Sequence, residues 1–232
     1  MNKIVVSDYD KTFYVDEEDI KKNIELVKLF RKKGNIFIFA TGRAYSDFKG
    51  EIDKYNLEYD YLILNHGAQI LDKNNNLLKN EILDKKIVYE IYNDLNIDKS
   101  IRFFCCSVES DRTTIDDENL IKINVKYEDT RFLEKIGKEL KRKYNKFVNI
   151  YIVSNHTLEI VSKNISKCKA IDYLVCKYNF DSNLIYTIGD HETDLEMLEK
   201  YNGFTMKECN YKLRSFKKYD SVYKLIEDVM KE

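Results

Sequence analysis

At 232 residues the chain is long enough for one large domain, or for a core domain carrying a smaller insert, and it can bury a hydrophobic core without a metal or disulfide staple. Its 39 Lys+Arg and 40 Asp+Glu leave a net charge of -1, which gives no electrostatic footprint for nucleic acid or an anionic membrane surface and points to a small-molecule partner. The five cysteines are odd in number and form no C-x-x-C pair, so buried thiols of a reducing compartment are expected.

The first apolar run, Ile4-Val5-Val6, is too short for a signal peptide. No later run approaches the roughly 20 apolar residues of a spanning helix, so a cytoplasmic protein is expected. Short and β-branched, Ile4-Val5-Val6 instead predicts a buried strand of a parallel sheet, with Asp8 and Asp10 just past its end. Ile20, Ile24, Val27 and Phe30 recur at helical spacing and stop at Gly34, which predicts an amphipathic helix. A second buried strand, Ile36-Phe37-Ile38-Phe39, ends at Ala40-Thr41-Gly42-Arg43 and completes a strand-helix-strand crossover. A helix around residues 44–55 leads to a third strand at Tyr61-Leu62-Ile63-Leu64 and then to Asn65-His66-Gly67-Ala68. The cluster Asp72 to Asn76 predicts a hairpin turn between Gln69-Ile70-Leu71 and Leu77-Leu78.

From about Ile82 the rhythm changes to a helix (85–95), two strands (101–107 and 120–126), a helix (130–144) and a strand (148–153). This order predicts a separate α+β unit with an antiparallel sheet, after which Glu159-Ile160-Val161 leads back to the core. The buried pattern then resumes with a helix (167–178), the strand Leu184 to Ile188 ending in Gly189-Asp190, and a last short strand at 203–206. The fold class is α/β, with a parallel-sheet core from residues 1–80 and 158–232 and an α+β insert over 81–157.

Ligands of open α/β sheets bind beyond the carboxyl ends of the strands, and three strands here end in Asp8-Tyr9-Asp10, Thr41-Gly42 and Gly189-Asp190. Residues two apart in extended chain point the same way, so Asp8 and Asp10 are expected to face one ligand. Two such carboxylates repel each other by about 4 kcal/mol at 4 Å and an effective dielectric of 20, which calls for a cation. Asp190 offers a further hard oxygen ligand, and carboxylates with waters and a substrate phosphate suit Mg²⁺.

These residues resemble the haloacid dehalogenase superfamily, specifically its Cof-type phosphatases with an α/β cap. Asp8-Tyr9-Asp10-Lys11-Thr12 resembles the first motif, D-x-D-x-T, and Thr41-Gly42-Arg43 the second. Ile165-Ser166-Lys167 at a helix start is similar to the third, and Gly189-Asp190-His191-Glu192-Thr193-Asp194 to the fourth, G-D-x-x-N-D. Asn65-His66-Gly67-Ala68 is similar to the family's N-G-A turn. The resemblance implies a Rossmann-like core with a cap, and hydrolysis of a small phosphate monoester by way of an aspartyl phosphate. It makes Asp8 the nucleophile and a metal ligand, and Asp10 the acid and base, with its main-chain carbonyl on the metal. Thr41, with Gly42, would bind phosphate, Lys167 would neutralise Asp8 and the phosphoryl group, and Asp190 and a supporting Asp194 would hold Mg²⁺. Thr193 departs from the family's Asn, and Lys11 from a common glycine.

His66 and His191 fall in loops beside the expected site, where polar loop residues are the simpler reading. Phe103-Phe104 with Cys105-Cys106 read as core of the insert, while Arg102, Arg112 and Lys122 are either contacts for an anionic substrate or solvated surface. Three rivals stand beside the phosphatase: a phosphomutase of the phosphomannomutase type, a receiver-like signalling domain, and a non-catalytic phospho-ligand-binding module.

Overall fold

The computed structural model describes residues 2–231. In chain order it begins with strand β1 (Ile4–Ser7), helix α1 (Glu17–Lys32), β2 (Ile36–Ala40), α2 (Tyr45–Tyr55) and β3 (Tyr61–Leu64). Next come the hairpin β4 (Gln69–Asp72) and β5 (Leu77–Asn80), then α3 (Lys85–Asp94), β6 (Ser100–Ser107), β7 (Leu120–Tyr127), α4 (Thr130–Tyr144), β8 (Val148–Ser154) and β9 (Thr157–Ser162). The chain closes with α5 (Lys167–Tyr178), β10 (Ile185–Gly189), α6 (Leu195–Lys200), β11 (Asn202–Met206), β12 (Lys217–Tyr219) and α7 (Val222–Lys231).

Eight strands form the main sheet in the order β12-β11-β10-β1-β2-β3-β4-β5, parallel from β12 to β3 and antiparallel through the β4–β5 hairpin. Alternate residues of its strands supply opposite faces. Val5, Phe37, Phe39 and Leu62 pack with α1 and α7, whereas Ile4, Val6, Ile38 and Ile63 pack with α5 and α6. Burial on both faces is why these strands read as continuous apolar runs. Helix starts are fixed by side-chain caps: Asp16 accepts from the Glu18 and Asp19 amides before α1, and Ser166 accepts from the Lys169 amide before α5.

The second sheet is antiparallel, ordered β6-β7-β9-β8, with Ile123, Val125, Leu158 and Ile160 packed under α3 and α4. It includes Thr157–Ser162, so the expected return to the core at residue 158 is corrected: the cap sheet runs on through Ser162. The turn that sends β9 back along β8 is Asn155-His156, which lacks the Asn-Gly signature of a two-residue hairpin. β12 was also not expected, being three residues long and mostly charged. Of the cysteines, Cys105, Cys106 and Cys168 are buried as expected, while Cys176 is exposed and Cys209 half-buried. Among the described residues, no helix is long and apolar enough to cross a membrane.

Candidate active site

β1 lies between β10 and β2, so the chain that leaves its carboxyl end is flanked by the ends of both neighbours. The Asp8 amide still donates to the Ile188 carbonyl at 3.0 Å, which holds Asp8 at the sheet edge. Beyond it the backbone turns sharply, with the Phe13 amide bonded back to Asp8 and the Tyr14 amide to Tyr9. Lys11 takes a left-handed conformation in this turn, at φ 61°, where glycine is the relaxed choice.

From the start of α5, Lys167 donates through Nζ to Asp8 Oδ1 and to Asp194 Oδ1, each at 2.6 Å. Asp194 is fixed from its other side, its Oδ2 accepting from the His191 amide at 3.0 Å. A Cβ at Gly189 would stand 2.4 Å from Asp194 Cγ, so only glycine lets that carboxylate lie against β10. Asp190, at the end of β10, accepts a hydrogen bond from the Thr12 hydroxyl at 3.0 Å. Asp8, Asp190 and Asp194 are all buried, with carboxylate oxygens within 4.8 Å of one another.

Three buried carboxylates around one ammonium leave an excess of negative charge. Two like charges at that separation repel by about 3 kcal/mol at an effective dielectric of 20. Burial, opposed by Lys167, holds Asp8 well above the usual carboxylate range, and burial together with Asp194 raises Asp190 to about 6. Burial pulls Lys167 down, but Asp194 and Asp8 outweigh it and keep the ammonium charged. The donors are all hard carboxylate oxygens, with no thiolate or imidazole among them, and the surplus charge fits a divalent cation of the Mg²⁺ kind.

Thr41 and Gly42 follow β2 and line the same cavity as Asp8. The His66 amide donates to the Thr41 carbonyl at 3.1 Å, and the His66 ring covers Gly42 so closely that a Cβ there would meet Cε1 at 2.5 Å. Gly67, at φ 107°, brings the same turn against the Ser166 carbonyl at the mouth of α5.

Asp10 is placed differently from expectation. It lines the cavity, yet its carboxylate stands outside the three-carboxylate group and is gripped by Arg43, Nε at 2.9 Å and Nη2 at 2.6 Å. Arg43 is itself fixed by Glu51 at 3.0 Å and lies over the Tyr9 ring. A planar guanidinium fork favours this two-bond pairing, which the sequence spacing of Asp8 and Asp10 does not reveal.

A second buried polar group faces the first from the cap sheet. Glu159 on β9 contacts His66 Nε2 at 2.6 Å, accepts from Asn124 at 2.8 Å and lies 3.3 Å from Lys122 Nζ. Lys122 also donates to the Gly42 carbonyl at 2.7 Å, tying the cap to the turn after β2. Burial would raise Glu159, but Lys122 and His66 more than offset it and lower it to about 2. Burial keeps His66 below its ordinary value, so at neutral pH the imidazole is neutral and its Nε2–H donates to Glu159. Between the two groups lies a cavity of about 560 Å³, floored by Asp8, Thr41, Lys167 and Asp190 and roofed by Arg102, Phe104 and Lys122.

The family model of haloacid dehalogenase-like hydrolases matches residues 5–111 and 104–224. The chain belongs to this family. It is an enzyme of the haloacid dehalogenase-like hydrolases, with their α/β core and a cap. A relative from Buchnera aphidicola subsp. Schizaphis graminum, provisionally named a phosphatase, is 27% identical and covers 85% of this chain and 81% of its own. A haloacid dehalogenase-like hydrolase structure from Bacteroides thetaiotaomicron matches with TM-score 0.81, 16% identity and coverage of 99% of this chain and all of its own. The sucrose-phosphatase of Synechocystis, solved with sucrose and phosphate, matches with TM-score 0.72 at 16% identity, covering 99% of each chain.

The expected residues Asp8, Thr41, Gly42, Lys167, Asp190 and Asp194 thus lie together in this hydrolase, and Asp10 stands beside them in Arg43's grip. Three contributors escaped the sequence reading: the Thr12 hydroxyl, which positions Asp190, and the cap pair Asn124 and Glu159. Lys122 is neither solvated nor free but engaged, and Phe104 with Cys106 faces the cavity while Cys105 packs into the cap core.

Proposed function

We propose that this hydrolase is a Mg²⁺-dependent phosphatase that cleaves a small phosphate monoester through an aspartyl phosphate on Asp8. The observation that carries this reading is the buried, charge-deficient group of Asp8, Asp190 and Asp194 around Lys167 at the floor of the cavity. Asp8, Asp190, a supporting Asp194 and the main-chain carbonyl of Asp10 would hold Mg²⁺, which would supply charge to cancel carboxylate repulsion and to polarise the phosphoryl group. An Asp8 carboxylate oxygen attacks phosphorus, the P–O ester bond breaks, and Asp10 gives its proton to the leaving oxygen. Asp10 then takes a proton from water, which attacks the aspartyl phosphate and restores the Asp8 carboxylate with release of phosphate. For both steps the Asp10 carboxylate turns from Arg43 toward the cavity that it already lines. Thr41 and Lys167 hold the phosphoryl oxygens, as positioning and charge stabilisation govern such transfers. The Buchnera relative's name and the sugar and phosphate held by the sucrose-phosphatase, a protein of the same fold, support this reading.

Phosphate release from a panel of phosphorylated metabolites, measured with Mg²⁺ and with EDTA, tests it. Asp8→Asn is expected to lower kcat by on the order of 10⁴-fold or more, as loss of a nucleophile does. Release that survives this substitution, or is indifferent to EDTA, overturns the mechanism. Isomerised sugar phosphate exceeding free phosphate would instead identify a mutase.

A further inference from the structure

We propose that the substrate carries a second anionic group, a carboxylate or a second phosphate, and that Arg102 and Arg112 on the cap receive it. For the reacting end the proposal rests on the phosphatase reading above. It comes from pairing off the charges that line the cavity. Lys167 is engaged by Asp8 and Asp194, Arg43 by Asp10 and Glu51, and Lys122 by Glu159. Lys11, Arg102 and Arg112 have no such partner: among the described residues none of the three lies within ion-pair distance of a carboxylate, and Asp47, which also lines the cavity, pairs with none of them; Lys11 stands at the Asp8 end, in the turn after β1, whereas the two arginines are on the cap. Among the described residues, the Arg102 guanidinium has a polar contact only with Asn124 Oδ1, at 3.5 Å.

The fold nevertheless brings these two cations together. On β6, Arg102, Phe104 and Cys106 alternate onto the face turned to the cavity. The segment after β6 folds back, with Thr113 and Cys105 exchanging backbone hydrogen bonds at 2.8 and 2.9 Å and the Cys106 thiol donating to the Asp111 carbonyl. This fixes the backbone on both sides of Arg112. Each guanidinium carbon then stands 5.4 Å from the Phe104 ring centroid, which keeps the two like charges within about 11 Å of each other, close to a Debye length in ordinary salt. Two guanidinium forks beside one aromatic ring, neither in ion-pair contact with a carboxylate, suit a planar or tetrahedral oxyanion. The opposite end of the cavity takes the phosphoryl group at Asp8, so an ester with anions at both ends satisfies both.

The test uses the full chain with Mg²⁺ and matched substrates: hexose monophosphate against hexose bisphosphate, and glycerol phosphate against phosphoglycerate. A preference for the doubly anionic member of at least one pair is expected, roughly tenfold to a hundredfold in kcat/KM and residing in KM. The pair that shows it distinguishes a second phosphate from a carboxylate. Arg102→Gln with Arg112→Gln is expected to bring that preference close to one, and the double Lys variant, which keeps charge but loses the fork, to leave it intermediate. Because the readout is a ratio within one protein, general loss of fold or activity does not imitate it. Equal kcat/KM within both pairs, or a preference unchanged in the Gln variant, overturns the proposal. If no ester is cleaved, the phosphatase reading fails separately. Calorimetric titration with both matched pairs then decides: tighter binding of the doubly anionic member of either pair that is lost in the Gln variant upholds the arginine site, and equal affinities within both pairs overturn it.

Discussion

The molecule buries carboxylates in two places, and they are treated in opposite ways. Asp8 and Asp194 share one ammonium at the sheet edge, Asp190 stands beside them with only the Thr12 hydroxyl, and burial pushes Asp8 and Asp190 up. Glu159, equally buried on the cap, has Lys122, His66 and Asn124 around it and is pulled down to about 2. A buried charge that is fully partnered belongs to the architecture, here the seam between the cap and the turn after β2. One left in deficit is unstable by itself and asks for something from outside.

The contrast breaks most visibly at Lys167. Lys167→Met leaves buried carboxylates without their ammonium, and a loss of about 3–5 kcal/mol is expected in metal-free protein by urea unfolding. A loss near zero would mean that the core group is not ionised as described. Next in size is a pair of substitutions of opposite sign. Glu159 lies below its ordinary 4.5, so its contribution is complete above that pH and is lost as pH falls toward 2; Glu159→Gln should cost on the order of 3 kcal/mol at pH 7, the gap closing in acid. Asp190 lies above its ordinary 3.8, so its ionisation costs stability as pH rises through about 6; Asp190→Asn should stabilise the metal-free protein by on the order of 3 kcal/mol at pH 7 and by nothing below pH 4. Stability curves of equal sign for the two variants would erase the distinction.

Magnesium sharpens it further. At about 100 times its Kd, Mg²⁺ should stabilise the wild type by about 2.7 kcal/mol, reversibly with EDTA, and should do much less for Asp190→Asn. The smallest effect is expected at Lys11, whose left-handed backbone glycine would relieve while adding freedom to the unfolded chain. Lys11→Gly should shift stability by no more than about 1 kcal/mol, read from the urea midpoint.

The core and its carboxylates were legible because strands buried on both faces write themselves as short apolar runs, and each run stops at the sheet edge. Asp8, Thr41 and Asp190 were found that way. The cap was legible as elements but not as a surface. On β7 and β9 the polar residues Lys122, Asn124 and Glu159 alternate with Ile123, Val125 and Leu158 just as they would on a sheet turned to water. Alternation cannot tell a wet face from a face closed over a cavity, so Glu159 read as a step back toward the core. Asp10's capture by Arg43 was hidden for a different reason: it depends on how far the turn after β1 carries a side chain around, and no periodicity records that.

The place of β1 has a bearing on time. This strand is made well before β10, yet it sits inside the sheet against it, and the residues of β10 come about 180 positions later. At the roughly 5–20 residues per second of synthesis, about 10–40 s separate Asp8 from Asp190 as each leaves the ribosome. Through that interval the strand that leads to Asp8 has one open flank, and the whole cap is made before Asp190 and Asp194 can join Asp8 at the cavity floor. The newborn chain therefore passes through a stage with a cap and an unfinished cavity floor, which is completed only when β10 slides in beside β1.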